Sequence, residues 1–190
     1  MAYVLAMKPM PQSAVDGNEA ADYADLVSMI DDLGRVIQTS DALSAYAEEE
    51  NAVVEAALWE SAVITYGRCF TSGKSAIGKR SRRKMPTEAL DTLSPELREA
   101  HEQVMELRNR HVGHRVGEAG AVRVVAVHEY IGGPPLGVGC LRVHMILPDN
   151  HVDLPRLAHS LLSYLQPLAD READAVLGRL QQEHGVEPRT

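Results

Sequence analysis

The chain has few aromatic residues and few cysteines. Only 4% of its 190 residues are aromatic, and its two cysteines, Cys69 and Cys140, lie far apart. Two such cysteines provide no disulfide framework, so a reducing cytoplasm is the expected compartment. No stretch is apolar for long enough to span a membrane, and the first ten residues lack the pattern of a signal peptide. With 45% apolar residues, the chain is predicted to form one soluble domain over residues 1–190.

The sequence also lacks the common motifs for metals and nucleotide phosphates. Gly132 and Gly133 are followed by two prolines rather than by the lysine and hydroxyl residue of a phosphate-binding loop. His111 and His114 lie one helical turn apart, but no glutamate completes an H-E-x-x-H arrangement. We therefore expect no metal and no cofactor.

Apolar periodicity predicts a mainly helical fold. A helix is expected from Asn18 to Ile37, with a break or a new cap at residues 39–41. Residues 52–70 are apolar nearly all round, which is typical of a central, buried helix. A C-terminal helix is expected over residues 153–185. With the helix described next, these segments predict a four-helix bundle.

The clearest helix start is at Ser94, within a predicted helix over residues 94–114. Ser94 is a favourable N-cap, Pro95 suits the first helical position, and Glu96 places negative charge at the positive end of the helix dipole. The apolar residues that follow recur at spacings of three and four, and they line one face: Leu97, Ala100, Val104 and Leu107.

That apolar face ends in cationic side chains. Arg108 projects within about 20° of Leu97, and the stripe continues through His111 and His114. One explanation is an internal ion pair between Arg108 and a carboxylate such as Glu55 or Glu60, with histidines in ordinary hydrogen bonds. The other is a cleft or two-fold interface that receives an anion, for which a phosphate suits arginine and histidine best.

The run from Leu107 to His114 resembles the R-x(4–6)-H signature of the HEPN superfamily, whose members are all-α proteins. Arg108 is followed by the polar Asn109, and His114 comes after five intervening residues. The resemblance covers about eight residues strongly. It departs from the common bacterial form of the motif at Gly113, where alanine is usual.

The resemblance implies a metal-independent endoribonuclease of the toxin or phage-defence type in bacteria, acting at the cleft of a homodimer. Arg108 would hold the scissile phosphate, His114 would transfer protons, and Asn109 would support the site. Arg110 and His111 would contact substrate. On an ideal helix Arg108 and His114 point about 120° apart, so either the helix is distorted near Gly113 or two subunits combine. An antitoxin or a nucleotidyltransferase-like partner would fit the same family.

Two alternatives to the enzyme remain open. In the first, the protein is a non-catalytic member of the family that binds a nucleotide or a nucleotidyltransferase-like partner. In the second, it is a scaffold whose Arg108 forms an internal ion pair. A solvent-accessible Arg108 facing its symmetry mate would favour the enzyme.

A basic loop over residues 71–86 precedes the motif helix. It holds six of the nineteen basic residues and no acid, whereas the rest of the chain has thirteen basic and 27 acidic residues. Such a loop is either a solvated charge run or a local handle for RNA phosphates. In the second case its predicted RNA contacts are Lys79, Arg80, Arg82, Arg83 and Lys84.

The remaining segments are predicted from composition. Residues 18–116 form the helical core, and residues 1–17 are expected to be loosely held. Residues 121–147 are rich in valine and bounded by glycine and proline, which predicts an antiparallel β-hairpin with a turn at 131–137.

Overall fold

A computed structural model describes residues 15, 17–47, 52–75, 77, 79–109, 122–128, 130, 133–142 and 152–183. The described part is mainly helical. Its elements in chain order are α1 (Asn18–Ala47), α2 (Ala52–Arg68), α3 (Thr87–Asp91), α4 (Pro95–Leu107), β1 (Val122–His128), β2 (Pro135–Arg142) and α5 (Leu154–Glu183).

The core lies between α1, α2 and α5, with α4 closing one side. Helix α1 packs against both α2 and α5, and α4 contacts α2 and α5 as well. On α1 the fully buried residues recur at spacings of three and four, which is the pattern of one helix face. The largest fully buried side chains on the three long helices are Leu26, Met29, Leu33, Val36, Val63, Tyr66, Leu154, Leu157, Leu161 and Leu165.

The predicted break at residues 39–41 is wrong, because α1 runs without interruption to Ala47. Ser40 lies inside the helix, where its hydroxyl donates to the carbonyl of Val36 at 2.9 Å. Ser44 repeats this arrangement with the carbonyl of Ser40 at 3.1 Å. Serine hydroxyls can bond the carbonyl four residues earlier, and in this way they are accommodated within a helix instead of ending it.

The prediction that α2 is buried all round is also wrong. Val53 is 80% exposed and Ile64 is 44% exposed. Only one side of α2 meets α1 and α4, on which Trp59, Val63 and Tyr66 are buried. The apolar side chains on the opposite side have no neighbouring described element to pack against, so composition alone overstated their burial.

The start of the motif helix is confirmed. The Ser94 hydroxyl accepts a hydrogen bond from the backbone N–H of Leu97 at 3.4 Å, and Pro95 occupies the first turn. Bonding of the Glu96 carboxylate to Ser94 and to backbone lowers the pKa of Glu96, as expected at a helix N-terminus. The short helix α3 just before it was not predicted. It buries Ala89 completely.

Strands β1 and β2 pair antiparallel, with Val122 opposite Arg142 and Val127 opposite Gly137. The register shifts after Val127, and β2 begins at Pro135, inside the predicted turn. Helix α5 begins at Leu154 and continues through Pro167. None of the described helices combines the length and hydropathy needed to cross a membrane.

Candidate functional site

The candidate site begins at the C-terminal end of α4. The backbone N–H of Arg108 bonds the carbonyls of Met105 and Val104, and residues 108 and 109 continue the helix with a wider, π-type turn. Turns of this kind interrupt α-helices infrequently and are common at functional sites. The motif therefore starts where the regular helix geometry changes.

The Arg108 side chain lies against α2 at Gly67. A Cβ atom at position 67 would be 2.8 Å from the Cγ of Arg108 and 3.2 Å from its Cδ, so only glycine leaves room for this stem. The guanidinium Nη1 donates to Asn109 Oδ1 at 2.8 Å. Arg108 is partly buried and Asn109 is exposed. The stem is thus held by α2, and the guanidinium is oriented by the neighbouring amide.

Arg108 has no ion pair with a carboxylate of the residues that the structure describes. Among the described residues, neither Glu55 nor Glu60 pairs with its guanidinium. A guanidinium carries five N–H donors, and the bond to Asn109 uses one of them. The described residues leave its other donors to an anion such as a phosphate. The other motif residues, Arg110, His111 and His114, lie outside the described residues.

An aromatic cluster lies two turns before Arg108 on the same face of α4. The Tyr66 hydroxyl and His101 Nδ1 share a hydrogen bond of 2.7 Å, and Phe70 packs against both rings. Burial lowers the pKa of His101, assisted by Arg98, and burial raises the pKa of Tyr66. The imidazole is therefore neutral at neutral pH. His101 was not predicted as a site residue, although its spacing of seven residues from Arg108 places it on that face.

The arginines of the basic loop are engaged within the chain. Arg80 pairs with Asp22 at 2.7 Å and with Asp25 at 3.0 Å. Arg83 pairs with Glu172 of α5 at 3.3 Å. In contrast, Lys79 and Lys84 are exposed. The predicted RNA contacts thus divide into arginines with intramolecular partners and lysines that face solvent.

Asp25 anchors this loop, and it was not among the predicted site residues. The carboxylate is fully buried, and it accepts hydrogen bonds from the Ser75 hydroxyl at 2.9 Å, from Arg80 and from the backbone N–H of Arg83 at 2.8 Å. A buried carboxylate requires such partners. Its burial could have been predicted from the sequence, because Asp25 lies on the apolar face of α1, next to Leu26 in the chain.

A second carboxylate on α1, that of Asp32, pairs with one arginine of α2 and one of the loop. Asp32 lies 3.4 Å from Arg68 and 3.8 Å from Arg82. Burial raises the pKa of Asp32, and the two arginines oppose that effect. Burial also raises the pKa of the nearby Cys69 thiol to about 12, which makes it a poor nucleophile at neutral pH.

The basic loop and Arg108 meet the same end of α2. Arg82 donates to the carbonyl of Arg68, and the N–H of Met85 donates to the carbonyl of Cys69 at 2.8 Å, while Arg108 packs on Gly67. Three arginines, at positions 68, 82 and 108, therefore contribute to the C-terminal end of this helix. Arg68 was not among the predicted site residues.

No protein-family model, no curated protein and no solved structure matches this chain.

Proposed function

We propose that this protein is a metal-independent endoribonuclease of the HEPN type, in which α1, α2, α4 and α5 form the helical bundle and β1 and β2 an added hairpin. The observation that carries the proposal is the position of Arg108. Its stem packs on Gly67, its guanidinium donates a hydrogen bond to Asn109, and it has no carboxylate partner among the described residues. The resemblance at residues 107–114 supplies the reaction class.

The reaction uses the ribose 2′-hydroxyl as nucleophile. A proton leaves this hydroxyl for His114, the oxygen attacks the adjacent phosphorus, and the bond to the 5′ oxygen breaks, leaving a cyclic phosphate and a 5′-hydroxyl. The departing oxygen takes up a proton from a second acid, for which His114 of the other subunit is the candidate. Arg108 binds the non-bridging oxygens and stabilises their charge in the transition state.

A homodimer would complete this site. Val53 and Ile64 are exposed on α2, and Gly67, on which Arg108 packs, lies three residues after Ile64 in the same helix. Packing this face against its symmetry copy would cover the apolar side chains and bring two copies of Arg108 to one cleft. A role as a toxin or in phage defence, in the cytoplasm and with an antitoxin or nucleotidyltransferase-like partner, belongs to the same proposal and rests on the resemblance.

The test is cleavage of bulk RNA by the purified protein in the presence of EDTA. Wild type is compared with Arg108→Ala, His114→Ala and Asn109→Ala, and with Arg171→Ala as a matched control, because Arg171 is exposed on α5. Each variant is first shown to be folded and to have the wild-type oligomeric state. We expect Arg108→Ala and His114→Ala to lose cleavage, Asn109→Ala to lose less of it, and Arg171→Ala to keep wild-type activity.

The end groups of the products identify the mechanism. Cyclic phosphate ends that persist with EDTA support 2′-hydroxyl attack without a metal. Wild-type activity in the Arg108→Ala variant would contradict the proposed site. Absence of cleavage at several pH values and on several RNAs would contradict the enzyme.

The alternative is a non-catalytic binding or scaffold protein of the same fold. One observation favours it, namely that Arg80 and Arg83 of the basic loop are held by carboxylates of α1 and α5. An arginine already paired with a carboxylate contributes less to RNA binding. Unchanged RNA affinity in a Lys79→Ala, Lys84→Ala double variant would favour this alternative.

A further inference from the structure

A cavity of about 490 Å³ lies where the C-terminal part of α1, the N-terminal part of α2 and the start of α5 meet. This volume is within the range of roughly 300–1,000 Å³ typical of small-molecule sites. Glu55 and Trp59 of α2 line it, whereas Arg108 packs on Gly67, twelve residues beyond Glu55. That separation is about 18 Å along a helix, so the cavity is distinct from the proposed ribonuclease site.

The charge of the cavity wall is negative. Among the described residues that line it, Glu55 and Asp153 are charged and none is basic. Asp153 is already engaged, because its Oδ1 accepts the backbone N–H of Arg156 at 3.1 Å in the first turn of α5. The Glu55 side chain, in the first turn of α2, has no hydrogen bond or ion pair with any residue that the structure describes. Its carboxylate is therefore available to a cation.

The rest of the wall is apolar, and its largest side chain is Trp59. Leu43, Val152 and Leu154 contribute aliphatic surface. Trp59 lines the cavity, and the face of an indole ring attracts cations.

We propose that this cavity binds a compact organic cation, consisting of an ammonium group on an apolar body. Glu55 supplies the counter-charge, Trp59 the aromatic wall, and the aliphatic side chains enclose the apolar body. Anionic ligands are disfavoured, because the described residues of the wall offer them carboxylates and no basic side chain.

The chain has a single tryptophan, so its fluorescence reports on this cavity alone. The full-length protein is titrated with phenethylammonium chloride while the emission of Trp59 is recorded, with excitation selective for indole. The uncharged analogue 2-phenylethanol and the anion 3-phenylpropionate serve as comparisons of similar size. We expect a saturable response to the ammonium probe with Kd below about 1 mM, and at least tenfold weaker binding of the alcohol and the anion.

A pair of variants on α2 tests the role of Glu55. Glu55→Gln removes the carboxylate from the cavity, whereas Glu60→Gln removes an exposed carboxylate five residues later that does not line it. Circular dichroism checks that both variants are folded. We expect Glu55→Gln to weaken binding of phenethylammonium at least tenfold without affecting 2-phenylethanol, and Glu60→Gln to bind as wild type does.

Three results would overturn the proposal. They are no saturable response of Trp59 to the ammonium probe, equal affinity for the ammonium and the alcohol, and equal affinity in the two glutamine variants. The first two are read on the wild-type protein and do not depend on whether a variant folds.

Discussion

Gly67 and Arg108 form the most specific contact between two residues in the candidate site. Because Gly67 has no side chain, it makes room for the stem of Arg108. A Cβ built at position 67 would lie only 2.8 Å from the Cγ of Arg108. Because Cγ is near the backbone, the arginine cannot move aside by rotating its far end alone. The contact therefore controls where the guanidinium lies.

We expect Gly67→Ala to displace Arg108 and to lower kcat/KM for RNA cleavage at least about tenfold, which corresponds to roughly 1.4 kcal/mol of transition-state stabilisation. The steady-state rate on a defined RNA measures it. Wild-type activity in a folded Gly67→Ala protein would show that the packing of Arg108 on Gly67 does not matter for catalysis.

Gly34 provides the matched control for that substitution. It lies inside α1, and a Cβ there would meet nothing within 4 Å. Alanine has a higher helix propensity than glycine, so we expect Gly34→Ala to raise the free energy of unfolding by roughly 0.5–1 kcal/mol. Urea denaturation measures the change. In Gly67→Ala the same gain in propensity should be offset by the clash with Arg108, so equal stabilisation of the two variants would contradict the described packing.

His101 makes stability depend on pH. Its pKa is lowered in the folded protein, chiefly by burial, so the unfolded chain binds a proton more readily than the folded one. Its contribution to stability is therefore lost as the pH falls below the pKa of histidine in the unfolded chain, which is about 6.5.

We expect the free energy of unfolding to fall between about pH 7 and pH 5, and His101→Gln to lack part of that decrease while keeping an acceptor for Tyr66. Urea denaturation at several pH values gives the slope. His159→Gln, at an exposed position on α5, is the control. If the free energy of unfolding changes with pH equally in His101→Gln and in the wild type, His101 is not the cause of the pH dependence.

The loop between α2 and α3 is held to α1 by the buried carboxylate of Asp25. Asp25 has no exposed surface, and its three hydrogen bonds tie Ser75, Arg80 and Arg83 to one point of the helix. Removing the carboxylate would leave these donors without their partner.

We expect Asp25→Ala to lower the free energy of unfolding by about 3 kcal/mol, the lower end of the range for breaking a buried pair, because Arg80 keeps some access to water. Cleavage by trypsin at Arg80, Arg82 and Arg83 should accelerate in parallel. The control is Asp31→Ala, at an exposed position of α1. Similar trypsin rates in both variants would contradict the anchoring role of Asp25.

The elements themselves were predicted to different degrees. The start of α4 was predicted in detail, because Ser94, Pro95 and Glu96 act through local bonds and the helix dipole. The uninterrupted course of α1 was not predicted. Ser40 and Ser44 are accommodated in this helix because their hydroxyls bond carbonyls of the same helix. The start of β2 at Pro135 likewise depends on pairing with β1.

At the scale of the whole molecule, the apolar outer face of α2 bears on the proposed dimer. We expect Ile64→Asp to raise the dimer dissociation constant at least tenfold, because a carboxylate would be buried without a partner in the interface. Analytical ultracentrifugation over a range of concentrations measures it. Leu177→Asp, at an exposed apolar position of α5, should leave association unchanged. Equal effects of the two substitutions, or a monomer in the wild type, would contradict a dimer formed through α2.

The sequence by itself determined the mainly helical class, the cap at Ser94 and the apolar faces of the helices, because propensity, capping and periodicity act over a few neighbouring residues. It also singled out Arg108, since an arginine at the edge of an apolar stripe is unusual whatever the fold.

Only the tertiary structure decided which charges are paired and which side chains are buried. Asp25 and Arg80 are 55 positions apart, and Gly67 and Arg108 are 41 apart, so no local pattern connects them. The same applies to α2, whose apolar residues surround the helix while its neighbours cover one side only. Burial and ion pairing depend on which surfaces the packed helices bring together, and that depends on the whole chain.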